Sequence, residues 1–145
     1  MPQIQYSIDI SASAARVWEI LTDFPSYPSW NPFIRSISGA QIAGSRLQVT
    51  IQPQGGRAMT LAPTLLNFSP AKEFRWKGQL LLPGVFDGEH YLELGKREQG
   101  GVRLTQGEIF SGLLVPLFFR GALRNGTELG FQAMNQALKQ RAETA

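Results

Sequence analysis

The chain has 145 residues, 43% of them apolar and 17% charged, with a net charge of +3 and no cysteine. This is the length and composition of one domain that buries its own core, so a single domain over 1–145 is expected and a disordered chain is excluded. Without cysteine there are no disulfides and no thiolate metal sites; the composition fits a reducing compartment, and the expected location is cytoplasmic.

The first residues, MPQIQYSIDI, carry neither a basic segment nor an apolar core of the secretory type. Residues 3–10 alternate instead. Ile4, Tyr6, Ile8 and Ile10 share one face and Gln3, Gln5, Ser7 and Asp9 the other, which predicts a half-buried strand. Ser11 or Ser13 caps the next element, a helix over 14–22 with Val17, Trp18 and Leu21 on its apolar side. The stretch FPSYPSWNP, 24–32, is broken by its prolines into a short helical turn packed by Phe24, Tyr27 and Trp30.

Strands are predicted over 33–38, 46–52, 57–68, 73–80, 89–96 and 102–110. Pro63 marks an edge or bulge within the longest of them. Turn signals at 53–56, 69–71 and 99–101 make the connections hairpin-length, so the sheet is an antiparallel meander and not a doubly wound parallel one. Two loops are unusually apolar. One runs from Leu80 and Leu81 to Gly88. The other covers 111–121 and includes Leu114 and Phe118. Its most apolar window, 110–119, is interrupted by Gly112 and Pro116 and is too short to span a bilayer, so no stable membrane insertion is expected.

The last helix runs over 122–141. Leu123, Thr127, Phe131, Met134 and Leu138 form one stripe, and Gly126 and Gly130 lie on the same side. Glycine inside a helix costs up to about 1 kcal/mol against alanine. Two on the buried face mean either that something packs close to the helix or that space is left open there. The basic residues of this helix are spread along it, so no nucleic-acid partner is expected. Oligomeric state is not legible.

Three stretches resemble the START/Bet v 1 (SRPBCC) superfamily, in its polyketide cyclase/dehydrase-like branch. The first is IDISASAARVWEILTDFPSYPSWNPF at 8–33, with its Val-Trp helix and Tyr-Pro-Ser-Trp-Asn-Pro turn. The second is the His-containing strand at 86–94 followed, within 103–118, by TQGEIFSGLLVPLF. The third is the C-terminal helix with its Gly-Phe and Met-Asn pairs. The resemblance implies an α+β helix-grip fold. In that fold a seven-stranded curved antiparallel sheet wraps around a long C-terminal helix, two short helices follow strand 1, and a ligand cavity is enclosed. It does not select an activity, because cyclases, lipid carriers, hormone receptors and chaperone activators share this scaffold.

His90 is the only histidine and shares a strand face with Leu92 and Leu94. On the partner strand Leu104, Gln106, Glu108 and Phe110 share a face. A register pairing Leu94 with Leu104 sets His90 opposite Glu108; a slipped hairpin sets it opposite Phe110. His90 and Glu108 are then candidate catalytic residues as an acid–base pair, or His90, Gln106 and Glu108 form a polar anchor for a ligand, or a self-satisfied buried trio. Candidate ligand contacts on the sheet are Trp76, Leu92, Gln106 and Phe110. Trp30, Leu114 and Phe118 are candidates at the cavity mouth. On the helix they are Leu123, Gly126, Thr127, Gly130, Phe131 and Met134. The tryptophans fit the core better than a ligand platform, with Trp30 the best exception; the apolar loops, which include Phe86 and Phe119, fit equally the rim and gate of a hydrophobic pocket and a cap on the core.

One histidine and no cysteine provide no usual zinc set, and no Gly-x-Ser-x-Gly elbow, Gly-x-Gly-x-x-Gly or P-loop pattern is present, so no metal, nucleotide or other cofactor is expected. A Ser-His-Asp triad is not excluded by composition. The favoured function is binding or transport of a small hydrophobic molecule (lipid, polyketide-like or aromatic). The alternatives are a polyketide cyclase/aromatase-type enzyme using His90 and Glu108, and a protein-interaction module docking through its apolar loops.

Overall fold

The computed structural model describes residues 2–80 and 82–144; Met1, Leu81 and Ala145, which the readings above include, lie outside them. Strand β1 (Gln3–Ile10) leads into helix α1 (Ala14–Thr22). Of the two candidate caps, Ser13 is the one used: its Oγ accepts from the Arg16 amide at 3.1 Å. A single 3-10 turn (Phe24–Ser26) and a short helix α2 (Tyr27–Trp30) follow, as the proline spacing requires. Tyr27 is fully buried and its hydroxyl donates to the Leu21 carbonyl at 2.6 Å, which ties this turn back to α1.

The remaining strands are β2 (Ile34–Ser38), β3 (Gln48–Ile51), β4 (Met59–Leu61), β5 (Thr64–Ser69), β6 (Glu73–Leu80), β7 (Phe86–Lys96) and β8 (Val102–Ser111). A short helix α3 (Val115–Phe118) precedes the long helix α4 (Gly121–Glu143). All pairings are antiparallel, in the orders β1-β8-β7-β6-β5 and β2-β3-β4. The two sheets meet where the single strand expected over 57–68 is broken. Proline 63 has no amide to donate, and on either side of it the chain changes partner: β4 pairs with β3, β5 with β6. This one break makes eight strands of the expected seven. Beyond Lys77 the end of β6 pairs with β7 alone, so the wall is parted between β4 and β6.

The curved wall closes on α4. Thr127, Phe131, Met134 and Leu138 are buried against it and Leu123 is half-buried. Phe131, Met134 and Leu138 pack into a core with Phe74, Leu92 and Leu104, all without measurable exposure. Each such side chain contributes about 1.5–3 kcal/mol from burial. The helix glycines are close contacts, not gaps. A Cβ at Gly130 would stand 2.5 Å from Phe33 Cδ1, and one at Gly126 would stand 2.6 Å from the Gln54 carbonyl oxygen. The Gln54 amide also donates to the Gly126 carbonyl at 3.0 Å. Of the two explanations open for these glycines, close packing holds at both.

Candidate functional site: a cavity over two paired glycines

Strand β7 begins at Phe86, earlier than the loop expected to end at Gly88. Its inner face therefore reads Phe86, Gly88, His90, Leu92, Leu94. The register with β8 is the one that pairs Leu94 with Leu104 and His90 with Glu108. Across the sheet this makes successive rows: Phe74, Leu92 and Gln106; then Trp76, His90 and Glu108; then Gly78, Gly88 and Phe110. The last row has no side chain on two adjoining strands. That missing layer is the floor of a cavity of about 80 Å³.

Trp76, Phe86, Glu108 and Phe110 surround the floor. Ile51, Met59 and Leu61 of β3 and β4 close one side, and Phe119, Leu123 and Thr127 cover the top. Phe119 stacks on Phe110 with ring centroids 3.9 Å apart, and Phe86 meets Phe110 edge-on at 6.0 Å. Gln79 is the exposed lining residue, beside the parting between β4 and β6, so the cavity reaches solvent there.

Glu108 is folded over Gly88. A Cβ at residue 88 would fall on the Glu108 carboxylate, so glycine there makes the space the carboxylate occupies. Glu108 Oε1 lies 3.2 Å from His90 Nδ1, and His90 Nε2 lies 3.1 Å from Gln106 Oε1. Gln106 Nε2 donates to Asn135 Oδ1 at 2.8 Å, and Asn135 Nδ2 donates to the Tyr6 carbonyl at 3.2 Å. The carbonyl of Tyr6 only accepts, which orients both amides and leaves Gln106 Oε1 to accept from His90 Nε2–H. A proton must then lie between His90 Nδ1 and Glu108 Oε1, because a lone pair facing a carboxylate oxygen would repel it. The imidazole stacks on Trp76 at 4.8 Å and meets Phe131 edge-on at 5.0 Å. Its side chain is 3% exposed against 17% for Glu108, so the pair reaches the cavity only through the carboxylate.

The residues singled out in the sequence thus divide. Trp76, Glu108, Phe110, Leu123 and Thr127 stand on the cavity. His90 and Gln106 lie behind it in the polar chain. Leu92, Phe131 and Met134 are solid core, and Gly126 and Gly130 are helix contacts. Trp30 is not at the mouth. It packs on Tyr27 at 5.2 Å and borders a separate surface groove between α1 and the end of α4, because α2 turns back toward α1. The apolar loops are two-sided. Phe86, Val115 and Phe119 are buried, whereas Leu113 is 85% and Phe118 53% exposed and Leu114 is half-buried. The loops are stitched together by Leu113 and Leu114 amides donating to Gly84 and Val85 carbonyls.

Phe86 and Phe119, which belong to the apolar loops read as a pocket rim, do line the cavity, whereas Gly78, Gly88, Ile51, Met59 and Leu61 were not read as lining residues. The alternation of His90, Leu92 and Leu94, carried back by two and four places, reaches Gly88 and Phe86; that of Phe74 and Trp76, carried forward, reaches Gly78. Among the described residues no group of three histidine or acidic side chains comes together to hold a metal ion. Nor is any helix long and apolar enough to cross a membrane.

A curved antiparallel wall gripping one long helix, with a cavity between them, defines the helix-grip class. The chain matches the family described as polyketide cyclase / dehydrase and lipid transport over residues 1–143, and belongs to it. No curated protein matches it significantly in sequence. Among solved structures it is similar to the di-domain ARO/CYC StfQ of the steffimycin biosynthetic pathway, with a TM-score of 0.74 at 12% identity, covering 97% of this chain and 50% of that one. It therefore spans half the length of that protein, and the same share of the di-domain ARO/CYC BexL. A START superfamily protein from Mycobacterium smegmatis superposes with a TM-score of 0.73 at 18% identity, covering 97% of both chains. Ara h 8.0201 does so at 0.70 and 12% identity, again covering 97% of both. At these identities the likeness is one of fold.

Proposed function

We propose that the protein binds a small, largely apolar molecule in the cavity over Gly78 and Gly88, with Glu108 as its principal polar contact. The observation that carries this reading is the paired glycines: they withdraw one layer of side chains from an otherwise packed wall. Around that gap the lining is aromatic and aliphatic, and a single carboxylate turns toward it. An engineered apolar cavity of about 150 Å³ holds benzene; at about 80 Å³ with an open side, this one suits a guest of ring size that projects toward β4 and β6. Membership of a family whose description includes lipid transport supports the same reading.

The test is native mass spectrometry of protein from its source, together with uptake of a neutral single-ring probe, toluene, followed by NMR. Gly78→Val is the matched control. A Cβ at residue 78 meets only Pro63, at 3.5 Å and beyond, so the larger side chain grows into the cavity without striking the wall. Uptake by the natural chain and loss in Gly78→Val are expected. Equal uptake by both would overturn the assignment of this cavity.

A second reading, an aromatase/cyclase-type enzyme acting on a poly-β-keto substrate, is favoured by the proton held between His90 and Glu108. Glu108 is then the group that touches substrate, and His90 positions it and keeps its proton. Turnover by His90→Ala and Glu108→Gln at the natural rate would remove that reading.

A further inference from the structure

Four lining residues carry polar side-chain groups: Glu108 and Thr127 offer acceptors, the Trp76 indole N–H is a donor, and the Gln79 amide stands at the exposed edge. The Thr127 hydroxyl donates its proton to the Leu123 carbonyl at 2.7 Å, so it turns lone pairs to its surroundings. The Glu108 carboxylate has one oxygen engaged by His90, and its other oxygen, Oε2, has no side-chain or backbone partner among the described residues. The shared proton sits on the His90 side, whichever of the two atoms carries it. If His90 holds it, Oε2 belongs to a carboxylate; if Glu108 Oε1 holds it, Oε2 is a carbonyl. Both are acceptors. For Oε2 to donate, a second proton would have to enter and leave a net positive charge on the buried imidazole. Gln79 lines the cavity only at its exposed edge, away from Glu108 and Thr127 on the inner surface.

We infer that the ligand is a neutral, ring-sized or aliphatic molecule bearing a hydrogen-bond donor, of the phenol, enol or alcohol class, and not a carboxylate, ether or plain hydrocarbon. This rests on the cavity being the binding site. An anionic head group would meet the lone pairs of Glu108 and Thr127. A hydroxyl would give its proton to Glu108 Oε2.

The experiment is an NMR titration of the intact protein with phenol, its near-isostere toluene, the acceptor-only anisole, and benzoate. Phenol should bind about tenfold more tightly than toluene or anisole, as one added hydrogen bond to Glu108 Oε2 gives, and benzoate should bind weakest. Binding of none of the four would refute the cavity assignment itself. Equal binding of phenol, toluene and anisole would leave the cavity standing and overturn the donor rule, as would benzoate binding best. The natural chain alone decides this. Two variants sharpen it. In Glu108→Gln the new amide nitrogen can donate to His90 Nδ1 and leave its carbonyl toward the cavity, so the phenol preference should persist. In Glu108→Met it should vanish. Loss of the preference in Glu108→Gln would refute the proton ordering.

Discussion

Asn135 on α4 gives a hydrogen bond to the backbone carbonyl of Tyr6 on β1 at 3.2 Å, and that bond sets the direction of the whole buried polar chain. Asn135 is 2% exposed, so neither group has water to fall back on. Asn135→Asp keeps the shape and removes the donor. It leaves the Tyr6 carbonyl unpaired beside a carboxylate. The expected cost is about 1–3 kcal/mol for the orphaned acceptor, and more if the new side chain stays charged. Urea unfolding at neutral pH measures it; an unchanged midpoint and slope would show that the donor direction is not set here.

His90 lies flat on Trp76 and bonds at both ring nitrogens, so its packing and its hydrogen bonds can be separated. His90→Phe keeps an aromatic ring against Trp76 and strands Gln106 Oε1 and Glu108 Oε1. A loss of about 1–3 kcal/mol is expected for Gln106, which is fully buried, and less for Glu108, which reaches the cavity. A double-mutant cycle with Gln106→Leu should show coupling well above zero, since the second change removes the stranded acceptor.

Gly130 tests whether the helix or its neighbour decides. Alanine would gain up to about 1 kcal/mol of helix propensity. Its Cβ would also press on Phe33, whose ring is 1% exposed and wedged against Phe131 at 5.2 Å. Overpacking costs about 1–3 kcal/mol, so Gly130→Ala should be net destabilising in thermal unfolding. A raised melting temperature would show that Phe33 yields without strain.

The Tyr6 hydroxyl donates to Glu128 Oε2 at 2.9 Å and ties β1 to α4 a second time. Arg124 and then Tyr6 hold the Glu128 carboxyl below its ordinary value of 4.5. The same bond raises the Tyr6 phenol above 10.0. The carboxyl's contribution to stability is therefore complete above pH 4.5 and is lost as pH falls through the lower folded value. The phenol's contribution is complete below 10.0 and is lost as pH rises through the higher folded value. Tyr6→Phe should make denaturation midpoints less steep on both the acid and the alkaline limb. A variant whose pH profile runs parallel to the natural chain would show the bond has no weight in solution.

Much of the architecture was legible because strands and helices advertise their periods locally. Ile4, Tyr6, Ile8 and Ile10 alternate whatever they face, and Thr127, Phe131, Met134 and Leu138 repeat at helical spacing whatever covers them. The hairpin turn at 99–101 narrowed the His90–Glu108 register to a choice of two. The location of the cavity was not legible. A glycine in sequence says only that a side chain is missing, not whether the vacated space is filled by a neighbour. On α4, Phe33 and Gln54 fill it; on β6 and β7, where Gly78 and Gly88 pair side by side, the Glu108 carboxylate folds over Gly88 and only Pro63 comes near the space at Gly78. That distinction depends on which strands adjoin and how the wall curves. By itself the chain of residues determined a curved antiparallel sheet with a buried helix and a polar pair inside it. Only the tertiary structure decided where the hollow lies and which of its atoms accept, since both follow from contacts between residues far apart in the chain.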